Sequence, residues 1–262
     1  MSEIHPTTVV DAHAELGRDV RIGPYCYIGP GVILGDECEL IGHVTLLGPS
    51  SFGPRNTFHP YAVLGGAPQD LKYKGGPTRL EVGSDNVFRE HFTANRGTEV
   101  DQFSGGVTRI GNRNLFMIGV HIAHDSEVRD SVVIANYVQI AGHVCLEDRV
   151  TVGGASAMHH FVTVGRNAFV GGMTRVTHDV PPYMKVQGYD QAVRGVNVEG
   201  MKRWKIPPES ITAMKTAARM LYARKGEKSP HRTVHALREI QSDGLMADEH
   251  VQYLVQFLQR KL

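Results

Sequence analysis

Near the middle of the chain, Val120-His121-Ile122-Ala123-His124-Asp125 sets two histidines three residues apart and follows the second directly with an aspartate. Imidazole is the side chain best suited to taking up a proton near neutral pH. A carboxylate beside it can fix its tautomer and raise its basicity. Three more histidines, His143, His159 and His160, follow within 40 residues of His121. One surface histidine is commonly inert. Five so close together are a candidate centre for proton abstraction.

These residues lie inside a repeat of six. Stepping by six from Val10 gives Leu16, Ile22, Ile28, Leu34, Leu40, Leu46, Phe52, Phe58 and Leu64. Four places further in each hexad come slim residues: Ala14, Val20, Cys26, Val32, Cys38, Val44, Ser50, Asn56 and Ala62. The register is lost at 66–79, returns at Val82, Phe88 and Ala94, and is lost again at 96–106. It then runs unbroken by sixes from Ile110 to Val176. A short strand and a corner per hexad, with one aliphatic residue inward, describes a parallel β-helix. Three hexads close one triangular coil, so residues 18 apart stack at about 4.8 Å, the normal strand spacing. The 25 inward positions imply about eight coils.

In this frame His124 faces outward from the prism. Its column, by steps of 18, is His124, Gly142, His160 and His178. A glycine one coil from a base offers a backbone N–H with no side chain in the way. A base and an N–H donor about 5 Å apart suit acyl transfer: one takes the proton, the other stabilises the oxyanion. Asp125 shares a column with His143. Neighbours on a strand point to opposite sides, so Asp125 can orient His124 only at a corner or from another chain.

The whole-chain numbers narrow the rest. Among 262 residues there are 29 glycines, 41% hydrophobic residues and a net charge of +1. That balance gives no general case for nucleic acid binding. Cys26, Cys38 and Cys145 show no CxxC or zinc-type spacing, which fits a reduced, cytosolic chain. The first residues carry no basic and apolar leader pattern, and no run of 18 apolar residues could span a membrane. Pro181-Pro182 is expected to end the prism, giving a β-helix over 1–190 and a helical domain over 191–262. Pro207-Pro208-Glu209 opens the first helix, with Ile211, Met214, Ala218 and Leu221 at helical spacing. A turn is expected from Gly226 to Pro230. A second helix holds Val234, Leu237 and Ile240, and a third holds Val251, Leu254, Val255, Leu258 and Leu262. From Tyr183 onward 14 basic residues face 8 acidic ones, a local +6 that suits an acidic partner or phosphates.

Beyond the hexads, specific segments resemble the UDP-N-acetylglucosamine 3-O-acyltransferase family of hexapeptide-repeat acyltransferases. They are His121-Ile122-Ala123-His124-Asp125, Ala141-Gly142-His143, Met158-His159-His160-Phe161, Gln69-Asp70-Leu71-Lys72-Tyr73, Arg96-Gly97-Thr98 and the run from Gly195 to Arg203. The likeness extends over nearly the whole chain. It implies a left-handed prism, where the general rule for parallel crossovers would give a right-handed one. It implies transfer of a (3R)-3-hydroxyacyl group from acyl carrier protein to the 3-hydroxyl of UDP-N-acetylglucosamine, the first step of lipid A synthesis in Gram-negative bacteria. No cofactor or metal is implied. By the same resemblance His124 is the general base, Asp125 supports it and the Gly142 N–H holds the oxyanion. His121, His143, His159 and His160 line the substrate site. Gln69, Asp70 and Lys72 reach in from a neighbouring subunit of a homotrimer, and Asn197, Glu199 and Arg203 lie near the nucleotide. Gly172 and Met173 close the acyl groove. Three positions depart from the family's usual residues: Asn95 for histidine, His160 for glutamine and Trp204 for a second arginine. The second loop is about three residues longer than usual.

Four rivals share the architecture. An N-acyltransferase later in the same pathway, or a relative using a 3-amino sugar nucleotide, would employ the same base. The former usually carries an N-terminal uridine-binding domain, for which repeats starting at Val10 leave no room. A γ-type carbonic anhydrase would bind zinc through three histidines, its paired ligands five apart rather than three. A purely structural β-helix would be indifferent to loss of His124.

Overall fold

The computed structural model describes residues 2–100, 104–222 and 230–260, without side chains at 230–232. The chain is a left-handed parallel β-helix followed by a small helical part. Three sheets of eleven, nine and eight short strands form the walls. Strands pair with a register step of 18, as in His121↔Gln139↔Ala157↔Arg175. The step lengthens where a coil carries one of the two loops, as at Phe58↔Phe88 and Ala94↔Ile122. The strands Glu3–Ile4 and Met184–Gln187 extend the walls past the hexads counted from sequence, to about nine coils.

Every inward position of the repeat from Ile22 to Val176 is buried, with Val10 and Leu16 half-covered at the open end. Phe58, Phe88 and Phe116 share one inner column, their rings stacked at 5.1 and 5.2 Å. Such pairs add about 1 kcal/mol each beyond the area they bury. Slim positions line the corners from inside. There Asn56, Asn86 and Asn114 form a ladder: the Asn86 N–H donates to Asn56 Oδ1 and the Asn114 N–H to Asn86 Oδ1. Buried backbone donors at the turns are thereby satisfied.

Corners are built from single residues in the left-handed backbone region, among them Tyr25, His43, Tyr61, Asp125, His143 and Phe161. L-residues adopt this region at a cost unless the surroundings impose it. Here the strand before and the strand after, each bonded to the neighbouring coils, impose it.

Pro181-Pro182 does not end the sheet. Val180 bridges Val164, and Met184–Gln187 pairs in parallel with Phe169–Val170. Ala192–Val196 then folds back antiparallel on Met184–Gln187. A boundary at 190/191 cuts this hairpin, so the prism's last element runs to Val196. Proline removes one donor, and at the end of a sheet that donor is dispensable. A helix that hydrophobic spacing did not reveal follows: α1 (Val198–Arg203). Then come α2 (Pro208–Tyr222), α3 (Pro230–Ser242) and α4 (Glu249–Gln259). The expected turn before Pro230 and Leu262 fall outside the described residues. Met184, Val196, Met201, Met214, Ile240, Val251 and Leu254 make a second apolar core where the helices meet the hairpin.

Candidate active site

His124 and Asp125 lie at the corner between the strands His121–Ile122 and Glu127–Val128. Asp125 takes the left-handed conformation, φ +60°. That turn swings its carboxylate back beside its neighbour, and His124 Nδ1 lies 2.8 Å from Asp125 Oδ2. The corner thus resolves the strand-geometry objection within one chain. Assigned from this bond, the proton sits on Nδ1 and Nε2 keeps its lone pair.

His124 is 6% exposed, more enclosed than an outward-facing wall position would be. Its ring stands over Gly142. A Cβ built on Gly142 would lie 2.6 Å from His124 Cε1 and 2.8 Å from Nε2. Only glycine allows this approach. The Gly142 N–H makes no backbone hydrogen bond among the described residues, so it is available to a ligand.

Asp125 is held more heavily than sequence reasoning anticipated. Its carboxylate accepts from the Thr98 N–H at 2.9 Å, from Thr98 Oγ1 at 2.8 Å and from Ser104 Oγ at 2.6 Å. Its own N–H donates to Thr108 Oγ1 at 2.8 Å. Burial alone would raise the Asp125 carboxyl, but the bonds from His124, Ser104 and Thr98 outweigh it and hold it at about 2. Thr98 and Ser104 belong to the loop that breaks the hexads. The motif Arg96-Gly97-Thr98 was the only signal for either of them.

His143 stacks one coil above Asp125. Its ring meets His124 edge-on at 5.2 Å, and its Nε2 is 3.9 Å from Asp125 Oδ2. Phe161, next in that column, stacks on His143 at 4.5 Å while 68% exposed. It gives the site an apolar rim that the histidine count overlooks. A cleft of about 270 Å³ lies here, lined in part by Ser104, Asp125, His143 and Phe161. His121 is half-buried and bonded to Thr93 Oγ1 at 2.8 Å. Burial, then the nearby His124, lowers its basicity.

The other expected residues are more dispersed. His159 and His160 are exposed and meet edge to face. Gln69 and Lys72 are exposed on the first loop, where Asp70 Oδ1 accepts from the Lys72 N–H. Asn197 is buried and caps α1: it accepts from the Gly200 N–H and donates to the Asn167 carbonyl. Its side chain is thus engaged by the fold. Glu199 and Arg203 are exposed on α1. Trp204 follows, with the Arg149 guanidinium 4.5 Å over its ring. Arg149 belongs to a different corner of the prism from Asp125, so one chain does not bring α1 to His124. Gly172 and Met173 are exposed one coil beyond Gly154 and Ala155.

His124, Asp125 and His143 each offer a ligand atom within 4.8 Å of the others, a grouping that could hold a metal ion. The donors argue otherwise. Both Asp125 oxygens already accept hydrogen bonds, and His124 Nδ1 needs its proton to make one. A zinc ion would have to displace these donors from the Asp125 carboxylate, or be left with only imidazole nitrogens to hold it. The geometry is that of a hydrogen-bonded dyad.

Comparison with known proteins identifies relatives over nearly the whole chain. A family model described as UDP-N-acetylglucosamine O-acyltransferase, domain 2, matches residues 179–261, and one for bacterial transferase hexapeptide repeats matches 13–48. An acyl-[acyl-carrier-protein]–UDP-N-acetylglucosamine O-acyltransferase from Synechocystis is 40% identical over 98% of this chain and 89% of its own. One from Verminephrobacter eiseniae is 43% identical over 85% and 84%. The crystal structure of the UDP-N-acetylglucosamine O-acyltransferase from Moraxella catarrhalis superposes with a TM-score of 0.90, at 35% identity over 98% of this chain and 96% of that one.

Proposed function

Because the chain belongs to the acyl-[acyl-carrier-protein]–UDP-N-acetylglucosamine O-acyltransferase family, we propose that His124 drives transfer of a 3-hydroxyacyl group from acyl carrier protein to the glucosamine 3-hydroxyl of UDP-N-acetylglucosamine, the first step of lipid A synthesis. The observation that carries the roles is the bond from His124 Nδ1 to Asp125 beside the unencumbered Gly142 N–H.

The reaction follows from that geometry. Nε2 of His124 removes the proton from the sugar hydroxyl as its oxygen attacks the thioester carbon. Asp125 holds the tautomer and faces the imidazolium that forms. The Gly142 N–H receives the developing oxyanion. The intermediate collapses with loss of the carrier thiolate, which takes the proton back from His124. General acid–base assistance of this kind is worth about 10²–10⁴-fold. His121 and His143 border the sugar, His159 and His160 the outer rim. Gly172 and Met173 bound the acyl groove.

Gln69, Asp70 and Lys72 complete the site from a neighbouring protomer, and Glu199 and Arg203 lie near the nucleotide. Glu199 and Arg203 ride on α1, at a different corner from His124, so a shared substrate would bridge chains. The assembly that lets one substrate do so is a homotrimer, with sedimentation as its check. No described helix is long and apolar enough to cross a membrane. The carrier-bound donor points to the bacterial cytoplasm.

The test is acyl transfer from 3-hydroxyacyl-carrier protein to UDP-N-acetylglucosamine, wild type beside His124→Ala, across acyl lengths. A fall of at least about 10²-fold supports the base assignment. Wild-type protein that is folded yet inert with every chain length would refute the reaction. Stoichiometric zinc in active protein would refute the metal-free dyad.

A further inference from the structure

We infer that Thr98 and Ser104, on the loop 96–106, are positioning residues that set the orientation and charge of Asp125 and, through it, the pH at which His124 works. The inference rests on the reading of His124 as the base.

The loop is pinned where it returns to the prism. A Cβ at Gly97 would lie 2.2 Å from the Gly106 carbonyl carbon, so the two ends of the loop pack backbone to backbone. Thr98 follows directly and donates twice to Asp125. Ser104 approaches from the loop's far end. Its Oγ accepts from the Gly106 N–H at 3.1 Å, so its own proton is directed at Asp125 Oδ1. Arg109 Nη1 donates to the Ser104 carbonyl at 3.1 Å and anchors that residue's backbone.

Charge sharing gives the arrangement its consequence. An ionised carboxylate that accepts several hydrogen bonds divides its negative charge among the donors. Thr98 and Ser104 each take a share that His124 would otherwise receive. They keep Asp125 ionised, hold it in one rotamer, and limit how strongly it favours the protonated imidazole. The titratable groups facing His124 are Asp125, His143 and His121. Those facing Asp125 are His124 and His143, with Arg109 behind Ser104. Removing one hydroxyl changes none of these charges, only how Asp125 distributes its own.

The experiment is the pH profile of kcat/KM, with kcat and KM resolved, for wild type, Thr98→Val, Ser104→Ala and Ser104→Thr. Thermal unfolding of each is recorded alongside. In Thr98→Val and Ser104→Ala the acid limb should move to higher pH, because less of the carboxylate's charge is shared. Their kcat should fall on the order of tenfold, with KM for the sugar nucleotide within about twofold. Ser104→Thr restores a donor and should restore the limb. A limb that stays in place in both deletion variants would overturn the inference, whatever happens to kcat or Tm. So would a limb that Ser104→Thr fails to restore while the protein remains folded. If wild-type protein transfers no acyl group, the proposed function fails first, and the assay separates the two.

Discussion

The Tyr253 hydroxyl donates to Glu147 Oε2 at 2.6 Å, joining α4 to the prism across 106 residues of chain. Glu147 is 1% exposed and also accepts from the Arg166 N–H, with Arg129 and Arg260 within 4 Å. A buried carboxylate so surrounded is costly to disturb. Tyr253→Phe should cost about 2 kcal/mol, the worth of a hydrogen bond to a charged group. Glu147→Gln should cost about 1–2 kcal/mol, since the Tyr253 hydroxyl and the Arg166 N–H face a neutral acceptor or a donor in its place, while Arg129 keeps Glu127. Urea unfolding checks both, and a Glu147→Gln protein as stable as wild type would refute the clamp.

Asp125→Asn should lower kcat by about 10²-fold or more with little change in KM, because an amide can turn a donor towards His124 and spoil the tautomer. The acid itself also contributes stability. Folding holds the Asp125 carboxyl at about 2, below its ordinary 3.8. Its contribution, about 2 kcal/mol, is complete above roughly pH 4 and is lost as pH falls from there towards 2. The drop in urea midpoint between pH 5 and pH 3 should therefore be smaller in Asp125→Asn.

Gly142→Ala should fold and yet lose about 10²-fold or more in kcat, the scale of one oxyanion donor together with a displaced base. The added Cβ meets the imidazole, a side chain that can rotate away, rather than backbone. Circular dichroism unchanged beside a collapsed rate is the expected pair of results. Full activity would remove Gly142 from the mechanism.

Gly172 offers room that Gly142 does not. A Cβ there would find only Gly154 atoms, the nearer at 3.4 Å, and Met173 beside it is 81% exposed. Gly172→Met should leave the unfolding midpoint unchanged and move the preferred acyl chain to a shorter length. Competition between carrier-bound chains of different length measures this directly. An unchanged preference would place the end of the groove elsewhere.

The prism was legible because its signal is periodic. One inward residue every six, from Val10 to Val176, needs no long-range information, and the structure buries those positions from Ile22 onward. The dyad was legible because His124 and Asp125 are adjacent. What escaped depends on contacts between distant segments. Thr98 and Ser104 reach Asp125 from 27 and 21 residues away, out of a loop with no period. The sheet's continuation past Pro181-Pro182 escaped because proline reads locally as a stop, and α1 because six residues are too few for a hydrophobic stripe. Asn197 read as a ligand contact, and its side chain proves to be a helix cap.

Asp125 adopts at its corner the same backbone conformation that Tyr25 and Tyr61 adopt at theirs. The scaffold therefore supplies a row of equivalent sockets, each already holding its occupant in a posture that a free chain would avoid. A reactive carboxylate needed no special backbone of its own. It needed only to be set in one socket of the row, with His143 one coil above and the donors of Thr98 and Ser104 turned onto its charge.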